Sequence, residues 1–357
     1  MKNMRAVRIY DVEDYRLEEL PVPRIDDGEV LIRVVAAGIC AGDPKTFRGS
    51  PRVWGSDVLP RYIQPPVTAG HEFVGEVVEL GAGAAEKHGL KLGDWAVSEQ
   101  IIPCGECRFC RSGSYWMCRR HDIYGYVSGR ADGAWAEYMR LPQGAINHRI
   151  PDGLHIPEAA IIEPLACAIH AVERADVQLE DCVVIAGMGP IGLCMLQIAR
   201  LKNPRMLVAV ETRPSRLERA RECGADIVLN PVEEDVVERV HALTGGYGCD
   251  KYIEAAGTET AVIQGLTLLR NLGTFVEFGV HAKPVCVDWS LIGDAKELTI
   301  LGSHLSPYTY PKAIRLLEDG TIDPEKVVTH ALPLESFRDG LELVEQGDES
   351  LKVLLLP

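Results

Sequence analysis

No apolar run in this sequence approaches the ~20 residues that a membrane-spanning helix needs, so no membrane partner is expected. Residues 1–10 are basic but lack a long apolar stretch and a small-residue cleavage site. No signal peptide is expected, and the expected location is cytoplasmic. Positive charge is also scarce: 37 Lys and Arg face 52 Asp and Glu, for a net charge of −15. Phosphate backbones need a basic face, which argues against nucleic acid as a partner. The even cysteine count of a closed disulfide framework is missing as well. Eleven cysteines read better as metal ligands with some buried free thiols. Internal repeats and low-complexity tracts are absent. What remains is 357 residues, 46% hydrophobic and 25% charged, a globular composition too long for one ordinary core.

The stretch Gly70-His71-Glu72-Phe73-Val74-Gly75 opens with an imidazole and a carboxylate side by side, then alternates as a strand. Neighbouring strand residues point to opposite faces, so His71 and Glu72 can share one ion only at a turn or strand end. Gly70 permits such a turn. Upstream, Cys40 lies in a glycine-flanked turn; downstream, Glu163 offers a second carboxylate. A thiolate, an imidazole and carboxylate oxygens together suit zinc, with a position left for water or substrate. Asp43 is either a hydrogen-bond partner that orients this set or a helix cap. Trp54, Tyr62, Tyr124 and His304 are candidates for pocket walls or for plain packing. Residues 5–10 and 29–35 alternate as two strands of an expected hairpin, and residues 45–66 read as an irregular loop.

Cys104, Cys107, Cys110 and Cys118 fall at spacings of three, three and eight. Four thiolates so placed can close a structural zinc site, worth on the order of 10–16 kcal/mol of binding energy to the ordered lobe. An iron–sulfur cluster is the alternative, since the first three cysteines share its spacing. Cys167, Cys182, Cys194, Cys223, Cys249 and Cys286 are left as buried thiols.

From about residue 157 the chain alternates helix and strand, which implies a parallel sheet covered on both faces. A short apolar strand at 183–186 runs into Gly187-Met188-Gly189-Pro190-Ile191-Gly192 and a helix. Strand, glycine loop and helix in this order suit a dinucleotide, whose pyrophosphate can approach the backbone at the positive helix end. Glu211 closes the next strand, nineteen residues after Gly192. A carboxylate there can accept from ribose hydroxyls and repels a 2′-phosphate, which favours NAD. Arg213 and Arg216 close behind leave NADP open.

The motifs GICxxD, GHExxGxVxxxG, CxxCxxCx7C, EPLA and GxGxxG stand in this order along the chain. In this arrangement the sequence resembles the zinc-dependent medium-chain dehydrogenase/reductase family over its full length. Residues 328–330 and 333–335 resemble its polyol branch, which includes sorbitol and threonine dehydrogenases. Residues 38–43, 121–125 and 302–304 are similar to the erythritol/L-threitol group of that branch. The resemblance implies an α/β fold. A GroES-like catalytic domain would cover 1–156, with a structural zinc lobe at about 98–122. A Rossmann domain would cover 157–302, and residues 303–357 would return to the first domain. It implies a catalytic zinc surrounded by Cys40, His71 and Glu72, with Glu163 as ligand or one water away. It further implies hydride transfer from a small polyol to NAD in a cleft between the domains, and a homotetramer. Relatives carry a proton-relaying Ser or Thr two residues after the zinc cysteine, often with His five after it. Here these positions hold Gly42 and Lys45, so Lys45, or Glu72 through a water, is expected to take over. A catalytically silent nucleotide-binding relative is the alternative of another class.

Overall fold

A computed structural model describes residues 2–357. Its strands are β1 (Asn3–Asp11), β2 (Asp14–Pro21), β3 (Val30–Ile39), β4 (Val67–Thr68), β5 (Glu72–Leu80), β6 (Trp95–Ser98), β7 (Ile101–Ile102), β8 (Asp122–Ile123), β9 (Tyr138–Leu141), β10 (Asn147–Ile150), β11 (Cys182–Ala186), β12 (Met206–Val210), β13 (Ile227–Leu229), β14 (Cys249–Glu254), β15 (Leu269–Glu277), β16 (Thr299–Gly302), β17 (Val328–Pro333) and β18 (Lys352–Leu356). They fall into two compact units. One runs up to Glu163 and includes Ser306–Pro357; the other is Pro164–Leu305. Among the described residues no helix is long and apolar enough to cross a membrane.

The first unit is β-rich. A three-stranded sheet has the order β2-β1-β4, and a seven-stranded sheet the order β10-β6-β5-β3-β18-β17 with β9 also on β3. Its core gathers Val7, Ile9, Ile32, Ile39, Phe73, Val77, Trp135 and Val353, all almost fully buried. Trp135 packs against Gly70, at the turn before His71. Its indole N–H donates to Gly38 O at 3.2 Å, satisfying the one polar atom of a buried ring. The expected hairpin of residues 5–10 with 29–35 is not formed. β1 pairs with β2, Ala6 facing Glu18 and Ile9 facing Tyr15, while β3 lies in the other sheet. Only Tyr15 of β2 is buried, so its alternation was too faint to read. Glu13, at φ 59°, makes the turn that sequence alone does not advertise. Residues 45–66 are less irregular than expected, with short helices at Gly42–Phe47 and Pro51–Trp54.

The second unit is a six-stranded parallel sheet of order β13-β12-β11-β14-β15-β16. β11 lies near the middle, flanked by β12 and β14, and every one of its residues is buried. Such continuous burial is what a parallel strand covered on both faces requires. The core of this unit includes Val184, Val208, Leu229, Val240, Tyr252 and Phe275.

Candidate functional site

Cys40 is the residue after β3, and the chain then closes a tight turn on itself. Asp43 N–H donates to Cys40 O at 2.9 Å, and Cys40 N–H donates to Asp43 Oδ2 at 2.8 Å. This buried carboxylate therefore fixes the cysteine's backbone, and it also stands 4.0 Å from His71 Nδ1. His71 enters from the other side. Gly70, at φ 95°, makes the turn before β5, and any Cβ there would overlap the Trp135 indole. Glu72 is the first residue of β5 and pairs with Gly38 of β3. The strand end thus allows His71 and Glu72 to converge. One ligand atom from each of Cys40, His71 and Glu72 lies within 4.8 Å of the others.

Burial alone would push the His71 imidazole down. The Cys40 thiol beside it, then Asp43 and Glu163, outweigh burial and hold it up at about 10. Burial raises Asp43 above the usual carboxylate range. His71 Nδ1 is buried without a hydrogen-bond partner among the described residues. Soft sulfur, imidazole and carboxylate around such a gap fit a zinc ion.

Two residues of this neighbourhood were missed in the sequence. Lys352, the first residue of β18, is only 2% exposed. Its ammonium donates to Glu72 Oε1 at 2.7 Å, to Glu72 Oε2 at 2.6 Å and to Ile39 O at 3.1 Å. Both oxygens of Glu72 are therefore already engaged. Burial works against its charge, and the Glu72 carboxylate more than restores it, so Lys352 is raised. The signal was present: one lysine in an otherwise apolar end strand. Gln100 is the other; its amide donates to Glu163 Oε1. Glu163 is buried and held by Gln100, apart from the three-residue cluster. Nothing in the sequence around Gln100 marked it.

The remaining expected residues divide. Lys45 is exposed on the helix Gly42–Phe47, whereas Asp43 and Thr46 are buried on it. A Cβ on Gly42 would meet Cys40 Sγ at 3.8 Å, ordinary contact, so the missing hydroxyl is not a matter of space. Tyr124 is wholly buried, its ring edge-on to Phe73 at 5.5 Å; it is core rather than pocket wall. Tyr126 stands nearer the cage, its ring 6.1 Å from His71 and 5.5 Å from Tyr62.

Cys104, Cys107, Cys110 and Cys118 also meet, with their sulfurs within 4.8 Å of one another. Cys107 and Cys110 sulfurs are 3.5 Å apart. The N–H groups of Cys104 and Cys107 donate to Cys118 Sγ and Cys104 Sγ, each at 3.3 Å. Backbone N–H groups of Arg119 and Cys110 bring the Cys107 thiol down to about 6, while burial and Cys107 push Cys110 up to about 12. Four thiols sharing protons this closely fit a tetrahedral zinc ion. All eleven cysteines are free thiols, and Cys286, expected to be buried, is exposed.

In the second unit β11 runs into the glycine loop as expected. Gly187 has φ 94°, and a Cβ there would stand 2.7 Å from Ala256 N; one on Gly192 would overlap Gly187 O. These two glycines pack the loop against its own sheet and helix. Gly189 precedes the helix Pro190–Leu201, and only Arg216 Nη1, at 3.8 Å, stands near its missing Cβ, so this face of the loop stays open to a ligand. Glu211 directly follows β12 and turns back to the loop: Met188 N–H donates to its Oε2 at 2.9 Å, and Thr212 N–H to its Oε1 at 2.7 Å. Arg216 lies 3.8 Å from Glu211 Oε2 and partly offsets its charge.

Residues 26–152 match the family described as alcohol dehydrogenase GroES-like domain, and residues 190–319 match zinc-binding dehydrogenase. The chain is 48% identical to an erythritol/L-threitol dehydrogenase of Mycolicibacterium smegmatis, over 100% of this chain and 98% of the relative. It is 32% identical to a sorbitol dehydrogenase of Bacillus subtilis, over 100% and 98%. Among solved structures, a zinc-binding dehydrogenase of Sinorhizobium meliloti bound to NADP superposes with a TM-score of 0.89 at 30% identity, covering 100% of both chains. An alcohol dehydrogenase of Escherichia coli complexed with NADH superposes at 0.88 with 28% identity, covering 99% of both.

Proposed function

This chain belongs to the zinc-dependent medium-chain alcohol dehydrogenase family, and we propose that it oxidises a secondary hydroxyl of a small polyol to a ketone, with erythritol or L-threitol giving erythrulose. The observation that carries the chemistry is the convergence of Cys40, His71 and Glu72 at the ends of β3 and β5. The substrate rests on the 48% identical relative. Sorbitol and other sugar alcohols are the second reading, favoured by the sorbitol dehydrogenase relative.

Cys40, His71 and Glu72 would hold zinc, a Lewis acid that lowers the pKa of a bound alcohol, and the loop Gly187–Gly192 would hold the dinucleotide that accepts hydride. The chain's own part is to prepare that cage. Asp43 fixes the Cys40 turn, Lys352 holds both carboxylate oxygens of Glu72, and Gln100 holds Glu163 at the margin. The substrate's hydroxyl proton must leave without help from residue 42. Thr46 is buried and donates to Gly42 O at 3.0 Å, and the Tyr126 hydroxyl bonds to Thr46. Lys45, exposed one residue before Thr46, stands at the outer end of any such path. Unchanged kcat across pH in Lys45→Met would remove it. Glu211 supports NAD as the preferred coenzyme, with Arg216 as the residue that tempers the preference. A homotetramer in the cytoplasm completes the reading; light scattering at four chain masses would support the assembly.

The test is a set of initial rates with NAD on C3 to C6 polyols and L-threonine, before and after dialysis against a chelator. Fast, chelator-sensitive turnover of a tetritol is expected. Turnover confined to hexitols or threonine would move the substrate, and a protein that binds dinucleotide but turns over nothing would overturn the reading.

A further inference from the structure

We propose that Glu254, Glu277 and His281 form a third zinc site, inside the unit Pro164–Leu305 and independent of every cysteine. Glu254 ends β14 and Glu277 ends β15, and the two face each other in parallel register. Register partners on parallel neighbours project to the same face, so the two carboxylates leave the sheet side by side. The chain then folds back over the end of β14. Phe278 N–H and Gly279 N–H both donate to Glu254 O, at 3.1 and 3.0 Å. That turn brings His281 to the two acids. His281 Nε2 lies 2.7 Å from Glu277 Oε1 and 3.8 Å from Glu254 Oε2. One ligand atom from each of the three lies within 4.8 Å of the others.

A second observation points to a ligand. Glu254 is fully buried, at 0% exposure. Its Oε1 accepts from Ala256 N–H at 2.9 Å and Gly257 N–H at 2.7 Å. Its Oε2, aimed at the imidazole, has no hydrogen-bond partner among the described residues. Gly279 makes room for that oxygen, since a Cβ there would overlap it. A buried carboxylate oxygen without a partner is costly, and a protonated His281 could balance only one of the two acids. Burial accordingly lifts both Glu254 and Glu277 above the usual range. A divalent cation would answer both carboxylates with the imidazole neutral. One nitrogen and two oxygens as protein ligands, with a fourth position open to water, suit zinc. Glu277, one-third exposed, gives the ion a way in.

The experiment counts metal on the full-length chain, reconstituted with zinc and freed of excess. Three equivalents are expected in the wild type, and two each in His281→Ala and Glu277→Gln. Cobalt substitution separates the sites without any variant, because ions held by Cys40 or by the four-cysteine lobe carry thiolate charge-transfer bands. The proposed ion must add cobalt with no such band. A wild type in which all bound cobalt is accounted for by thiolate bands would overturn the proposal. So would three equivalents retained in His281→Ala. Either outcome leaves the polyol reading untouched, since that reading rests on the cysteine-bearing sites.

Discussion

Lys352 stands 280 residues from Glu72 in the chain and 2.6 Å from it in space. Both are almost fully buried, so neither charge can be removed without stranding the other. Lys352→Met is expected to cost about 3–5 kcal/mol of stability, read as a lower urea midpoint. It should also lower zinc affinity or kcat/KM by roughly 10–100-fold, as loss of a partner behind a metal ligand does. Lys352→Arg keeps the charge and should recover part of both. The pair exists only because Gly38 faces it without a side chain. Gly38→Ala is expected to cost about 1–3 kcal/mol through overpacking. Its kcat loss should be the larger symptom, since the methyl group displaces Glu72 itself; an unchanged kcat would sink this account of Gly38.

At the level of elements, strand ends carry the chemistry. Cys40 follows β3, Glu72 opens β5, Glu211 follows β12, and Glu254 and Glu277 close β14 and β15. Glu211 is fixed by N–H groups from its own turn and from Met188, which places its charge beside the glycine loop. Glu211→Ser should shift kcat/KM toward NADP relative to NAD by roughly 10–100-fold, the equivalent of about 1–3 kcal/mol of like-charge repulsion relieved. Arg216→Ala in that background should reverse part of the gain. The four-cysteine lobe is a different kind of element, in which four thiols converge and would be held by an ion. Cys107→Ser should release one zinc equivalent and raise amide exchange across residues 104–118, with little change elsewhere in the chain. Acid should act in the same direction, because protons compete for the thiolates. Zinc retention in the lobe should fall as pH drops toward the Cys107 value of about 6.

Across the whole molecule, two units with separate cores divide the labour. Dinucleotide should protect amides in the loop Gly187–Gly192 and the helix Pro190–Leu201. Chelation should expose the turns at Cys40 and His71 along with the cysteine lobe; hydrogen exchange read by mass spectrometry checks both. Much of this was legible in the sequence alone. The metal-ligand types, the cysteine spacing, the glycine loop and the helix–strand alternation are local patterns, set by chemistry within a few residues of chain. The sequence by itself therefore determined the family, the zinc-type donor set and the parallel dinucleotide unit. Tertiary structure alone decided which side chains complete the cage. Lys352, Gln100, Tyr126 and the meeting of Glu254 with His281 depend on strand register and long-range pairing. The hairpin of β1 with β2 was lost for the same reason: its pairing rests on a turn at Glu13 and on one buried tyrosine, too little local pattern to read. A lysine in an apolar strand reads as a flaw until the fold sets a buried carboxylate against it.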